Sequence, residues 1–327
     1  MPTAFLLGAT GYIGGSLLVA LRERYPDLAI TALVRNAAYV EKIRATGATV
    51  LQGSFADIDI ITEQSYLSDF VFNTADADDV SVTTAILAGA KRRVDEGKPK
   101  NVLIHTSGVA VFLAATGGTY DPNGRVWNDN SEEDIRSITT SMLHGQVDVP
   151  IMEAGLAGHV ENYIICPGAI VGAGRGPVNN GSNFFKGVVQ AMTAMQRAVY
   201  VGEGLGHFGF VHLDDVIDLY LRVFERASKG APSDESPYAR YFIASSNPID
   251  WKTITTVVGG TLAQRGKLAD GTAHSVSLDD PKSPLAFLAT SERLVADRSK
   301  ALGWNPRKVI LEDTVEADVD AVLNPTP

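Results

Sequence analysis

Cysteine is nearly absent. The 327-residue chain has one, Cys166, so no intramolecular disulfide and no cysteine-rich zinc site can form, and no metal centre is expected. Also missing is an uninterrupted apolar run of the ~18 residues that a membrane-spanning helix needs. The first apolar stretch, AFLL, passes straight into a glycine turn, which is not the pattern of a cleavable signal. A cytoplasmic location is therefore expected. Positive charge is scarce: 28 Lys and Arg against 38 Asp and Glu leave a net charge of −10. The basic residues cluster only at Lys91–Arg93. Such a chain has no electrostatic reason to approach nucleic acid or an anionic membrane. Repeats and low-complexity tracts are lacking too. What is present is 45% hydrophobic residues, enough for a sizeable core and against disorder. The length fits one large α/β domain, or one with a smaller partner.

Short apolar runs alternate with helical stretches through the first half. Strands are predicted at Thr3–Leu7, Ile30–Val34, Thr49–Leu51, Phe70–Asn73, Val102–His105 and Tyr163–Cys166. Most are continuously apolar, as strands covered on both faces are. Ile13, Leu17, Leu18 and Leu21 repeat at helical spacing, and a second helix is predicted from Asp79 to Asp95. The β-α-β-α order implies an α/β fold: a doubly wound, Rossmann-type parallel sheet. After Cys166 the texture changes to a Gly-, Pro- and Asn-rich loop, PGAIVGAGRGPVNNGSN. Helices follow near 183–197 and 213–224, with strands near Val201 and at Tyr241–Ala244. The expected division is a dinucleotide-binding domain over 1–170, its sheet completed by parts of 208–245. An interleaved, smaller and mostly helical substrate-binding lobe would occupy 171–327.

The sharpest local signal is LLGATGYIGG. Gly8 permits a tight turn, Gly11 lets backbone approach a pyrophosphate, and Gly14 lets helix and strand pack closely. The helix N-terminus offers free N–H groups and the positive end of its dipole to the phosphates. Thr10, Tyr12 and Ile13 lie within the same turn. The end of the second strand decides which dinucleotide is favoured. An acidic residue there would hold a ribose 2′-OH, but the chain reads Ala32-Leu-Val-Arg35-Asn36. Arg35 can pair with a 2′-phosphate, which favours NADP(H).

These motifs resemble the short-chain dehydrogenase/reductase superfamily in its extended or atypical branches, epimerase/dehydratase-like or NmrA-like, over nearly the whole length. GATGYIG is similar to that branch's glycine motif. GSFAD (53–57, with Phe55) sits where the family contacts adenine. FNTAD (72–76, with Thr74 and Ala75) sits where it lines the cofactor channel. HTSG (105–108, with Thr106 and Ser107) is similar to its active-site strand. CPGAIVGAG (166–174) resembles the segment whose Pro and following backbone, here Pro167, Ala169 and Ile170, face the nicotinamide. FVHLDDV (210–216) and LGWNP (302–306) resemble later family segments, and His212 is read as capping a helix there. The resemblance leaves a homodimer open.

The family's chemistry rests on a Tyr-x-x-x-Lys pair and a Ser, and all three are missing. None of the ten tyrosines has Lys four residues later, and the Ser position falls on Gly108, after Thr106 and Ser107. Where the pair belongs, one register places His144 and Asp148, the neighbouring one Gly145 and Val149. Pro150 would begin a helix capped by Asp148. On a helix, Asp148 would orient His144, which would exchange a proton with substrate, while Ser107 or Thr106 holds a substrate oxygen. The alternative is an exposed i,i+4 pair of little energetic weight. His105 is expected to be packed and His207 to lie in a loop. Tyr120 and Trp127 would wall a pocket, and Phe184 and Phe185 would line it or join the core. The function expected is an NADP(H)-dependent reductase of a small carbonyl or imine compound without the usual triad. The alternatives are a non-redox isomerase, cyclase or lyase on this fold, and an NADP(H)-sensing binding protein.

Overall fold

In a computed structural model, which describes residues 1–232, 234–280 and 283–324, the six strands predicted in the first half form, and the strand predicted at Tyr241–Ala244 joins them in one sheet. They are β1 (Thr3–Leu7), β2 (Ala29–Val34), β3 (Thr49–Gln52), β4 (Phe70–Asn73), β5 (Val102–Thr106), β6 (Glu161–Pro167) and β7 (Tyr241–Ala244). The spatial order is β7-β6-β5-β4-β1-β2-β3, with every neighbouring pair parallel. Phe5, Leu6 and Leu7 have no exposed surface, as expected of a strand covered on both faces. From β1 the chain builds outward first to β2 and β3, then from β4 the other way. This reversal opens a crevice at the carboxyl ends of β1 and β4, where doubly wound sheets bind ligands.

Helices follow the apolar spacing. In α1 (Tyr12–Arg24), Leu17, Leu18 and Leu21 are buried against the sheet. Helices α2 (Ile58–Leu67), α3 (Val80–Asp95) and α4 (Gly145–Leu156) pack in a row, and α1 packs against a later helix, Leu213–Ser228. Asp79 caps α3, its Oδ1 accepting from the Val82 N–H at 2.9 Å. The start of α4 differs from the expectation. Pro150 lies inside the helix rather than opening it, and the cap is His144 in the left-handed conformation, φ 61°. Gly145 permits this early start: a side chain there would run into the carbonyl of Thr139.

The second half contributes α5 (Asn183–Met195), α6 (Leu213–Ser228), α7 (Trp251–Gln264) and α8 (Val315–Leu323), with small sheets among them. Strand His207–His212 pairs with Ala169–Val171 on one side and Asn247–Asp250 on the other. His207 is thus a strand residue, fixed opposite Asp250, and not part of a loop. His212 caps α6 as expected, its Nδ1 accepting from the Asp214 N–H at 3.2 Å. The two late family-like segments meet: buried Trp304 donates through Nε1 to the Asp215 carbonyl at 2.7 Å. Among the described residues no helix is long and apolar enough to cross a membrane.

Candidate active site

The glycine turn has the shape a dinucleotide requires. Gly8 sits at φ +91°, and a Cβ there would lie 2.6 Å from the Thr74 carbonyl oxygen. The Gly11 N–H closes the turn on the Gly8 carbonyl at 2.8 Å. A Cβ on Gly14 would collide with the Gly8 carbonyl and Thr74 Oγ1. Helix α1 opens at Gly11 without a capping side chain, so its first amides are available to a ligand. These cradles and free donors fit a bound pyrophosphate.

Two cavities adjoin the turn and meet at Asn179, Ser182 and Asn183. The first, about 330 Å³, is lined by Gly11, Tyr12, Ile13, Thr74, Ala75, Thr106, Ser107, His144, Pro167 and Ile170, all expected site residues. The second, about 620 Å³, is lined by Thr10 and Arg35. Five expected residues line neither: Gly8 and Gly14 form the turn itself, Asp148 lies behind Ser107, and Phe55 and Ala169 are packed elsewhere. Phe55 packs against the hydrophobic core. Ala169 is buried in a strand paired with Phe210. The sequence did not mark Asn179, Ser182 or Asn183 as contacts, although their Asn-rich loop was visible, nor Lys186 beside Arg35. Tyr12 ties the turn to the opposite wall by donating its hydroxyl to the Gly172 carbonyl. Asp318 of α8 accepts from the Gly172 N–H at 2.9 Å.

The expected pairing of His144 with Asp148 does not form. His144 is the residue before α4, and its left-handed backbone takes the side chain off the helical face that would bring i and i+4 together. Its Nδ1 instead meets Asp78 Oδ1 at 2.9 Å, from the loop after β4. A carboxylate only accepts, so Nδ1 carries the proton and Nε2 is left free to exchange one. Nε2 lies beside Gly108: a Cβ on residue 108 would come within 2.9 Å of it. The missing side chain at Gly108 is thus the space in which the imidazole sits. The side chain is 16% exposed and lines the first cavity.

Asp148 is fully buried behind Ser107. It accepts from Ser107 Oγ at 2.7 Å and from the Tyr241 hydroxyl at 2.9 Å. Its other oxygen faces His105 Nε2 at 3.7 Å, and neither of those two atoms has a hydrogen-bond partner. The other ring nitrogen of His105 meets the Asn73 amide nitrogen at 3.1 Å. With Asp148 ionised, Ser107 spends its proton on the carboxylate and offers only lone pairs to the cavity. Thr106 is engaged with the Tyr220 hydroxyl. Both hydroxyls therefore have partners behind the cavity wall, which the strand sequence alone did not indicate.

Burial pushes the Asp148 carboxyl up to about 6, against hydrogen bonds from Ser107 and Tyr241 that pull it down. Burial, with His144 nearby, pushes His105 down to about 3. A raised carboxyl pKa means that the folded state holds the proton more tightly. This contribution is complete below about 3.8 and is lost as pH rises through about 6. The His105 contribution runs the other way, growing as pH rises from about 3 to 6.5. Asp148→Asn keeps an acceptor for both hydroxyls and removes only the buried charge. It is expected to gain about 1–3 kcal/mol over the parent at about pH 8 and nothing at about pH 4. Urea unfolding at the two pH values checks this; an equal effect at both would refute it.

The expected aromatic wall is only partly realised. Phe184 lines the first cavity and stacks on Phe208, with centroids 5.5 Å apart. Phe185 is fully buried. Trp127 is buried against Phe112 at 4.9 Å, with Arg125 over its ring. Tyr120 lies by His207, away from the first cavity. The loop folds back on the 290–295 segment, pairing Ala114–Ala115 with Thr290–Ser291 and Trp127–Asn128 with Leu294–Val295. That pairing carries both aromatics off the pocket.

Comparison with known proteins bears on the fold and on the glycine turn. Residues 8–111 match the family described as NAD(P)H-binding. Oxidase ucsJ from Acremonium sp is 23% identical over 92% of this chain and 92% of its own. Among solved structures, PbgP3 from Burkholderia pseudomallei superposes with a TM-score of 0.66 at 13% identity, covering 98% of this chain and 96% of that one. The dTDP-glucose 4,6-dehydratase of Bacillus anthracis, solved with NAD, gives 0.65 at 14% identity, covering 99% and 97%. At these identities the structures share the fold. Together these likenesses show a Rossmann-type fold, and residues 8–111, which include the glycine cradle, match an NAD(P)H-binding family.

Proposed function

We propose that the chain is an NADP(H)-dependent oxidoreductase that reduces a small, uncharged carbonyl or imine compound, with His144 as the proton donor. The observation that carries this is the placement of His144 Nε2, held by Asp78 and cleared by Gly108, in the cavity that adjoins the glycine turn. A bound nicotinamide supplies the hydride. His144 delivers the proton from Nε2 and recovers it from solvent along its exposed edge. Ser107, with its own proton directed at Asp148, accepts a hydrogen bond from the N–H or O–H formed. No lysine or arginine is among the residues lining this cavity, so a substrate carrying a diphosphate has no counter-charge there. The likeness to a protein named an oxidase supports redox chemistry over isomerisation.

Arg35 and Lys186 line the second cavity, and no acidic residue does. This supports NADP(H) over NAD(H), because a 2′-phosphate needs cationic partners and a 2′-OH an acid. Arg35→Ala is expected to weaken NADPH binding about 10–100-fold and leave NADH nearly unchanged. Fluorescence titration of both cofactors measures it; equal losses would remove the basis for the NADP(H) assignment. The activity itself is tested by NADPH oxidation with a panel of aldehydes, ketones and imines. Conversion of substrate without net cofactor change would establish a non-redox enzyme instead.

A further inference from the structure

A third cavity, about 300 Å³, lies at the carboxyl end of β7 and shares no lining residue with the two described above. Strand His207–His212 separates it from the first. Phe208 points to the aromatic cluster with Phe184, while His207 and Gly209 line the third cavity. The wall between them is backbone on backbone: a side chain on Gly168, which lines the first cavity, would run into the Gly209 carbonyl.

The charges here are unusual for a chain of net charge −10. Arg293 and Lys300 both line the cavity, and neither has a carboxylate partner among the described residues. Arg293 is positioned by the carbonyls of Pro122 and Gly124, which accept from its Nη1 at 2.6 and 2.8 Å. Glu292, 5% exposed, also lines the cavity. Its Oε1 accepts from the Gly209 N–H at 2.8 Å, and its buried Oε2 has no partner. Burial pushes this carboxyl well above the usual carboxylate range, against the Gly209 N–H that pulls it down. Tyr120, Val126 and Leu294 supply flat and apolar wall.

We propose that this cavity is a second small-molecule site, separate from the cofactor cleft, and that it binds a small organic carboxylate. Arg293 and Lys300 hold the carboxylate, and the ring of Tyr120 covers the apolar body. The volume is at the low end for ligand sites and admits a small organic acid but no nucleotide. Fixed guanidinium geometry favours a carboxylate, and an apolar wall favours a carbon body over a bare inorganic anion.

The test uses the full chain saturated with NADPH, so that the phosphate-binding parts of the cofactor cleft are occupied. Benzoate, succinate and inorganic phosphate are titrated by calorimetry and by thermal shift. Benzoate is expected to bind in the millimolar range or tighter and to raise Tm. Lys300 is exposed on its short helix, so Lys300→Gln leaves the fold intact; it should weaken benzoate about tenfold, and Lys300→Glu should abolish binding. Lys267→Gln, an exposed lysine elsewhere, should bind as the parent does. The proposal is overturned if no organic acid binds, if both Lys300 variants bind like the parent, if Lys267→Gln weakens binding equally, or if phosphate binds as tightly as benzoate.

Discussion

His144→Asn is expected to lower kcat by about two to three orders of magnitude while leaving KM and NADPH affinity within a few-fold, because positioned general acids contribute about 10²–10⁴. Asparagine is the right replacement. Residue 144 sits at φ 61°, a region that Asn tolerates better than other side chains, so the start of α4 is preserved while the titratable ring is removed. Unchanged Tm and cofactor binding would separate a chemical effect from a structural one. Asp78→Asn is expected to cost less, about tenfold, since it keeps the polar contact but no longer fixes Nδ1 as the protonated nitrogen. Steady-state kinetics on the substrate found in the reductase screen decide the matter. Full turnover by His144→Asn would end the assignment of His144 as proton donor.

The second large effect concerns Gly14. Gly14→Val is expected to abolish dinucleotide binding and to destabilise the fold by about 2–4 kcal/mol. Its Cβ alone would collide with the Gly8 carbonyl and Thr74 Oγ1. Thr74 Oγ1 is itself held, donating to the Leu7 carbonyl at 2.7 Å, so neither neighbour can yield cheaply. Relief requires α1 to move away from β1 and β4, which opens the pyrophosphate seat. Gly11→Ala is the graded companion. A Cβ there would meet only the Gly8 carbonyl, at 3.1 Å, so this variant should fold with Tm within a few degrees and lose about tenfold in NADPH affinity. Thermal unfolding and cofactor titration of both variants measure the contrast. Parent-like binding by Gly14→Val would show that helix and strand need not approach so closely.

Much of the fold could be read from local pattern. β1 and β4 form over the residues predicted, and α3 starts at its Asp79 cap. Each depends on apolar period or on a cap within three residues. The glycine turn is legible too, since its three glycines fall at fixed short spacing directly after a strand, and Gly8 at φ +91° adopts a conformation that favours glycine. The helix that follows His144 was the exception. Pro150 gave a strong start signal, but α4 begins five residues earlier, at Gly145. Packing of that turn against Thr139 outweighs the preference of Pro for a first-turn position.

What the sequence alone determined was therefore the dinucleotide seat, the basic residue at the end of β2 and the absence of Tyr–Lys. Those facts depend on residue identity and short spacing. Only tertiary structure decided the partners. Asp78 reaches His144 across 66 positions, Ser107 and Tyr241 converge on Asp148 from two strands, and Tyr120 leaves the cofactor cleft for a cavity of its own. The i,i+4 rule that paired His144 with Asp148 holds only for residues inside a helix. A single left-handed residue at the helix start sends the imidazole to the Asp78 loop and leaves Asp148 to the buried network behind Ser107.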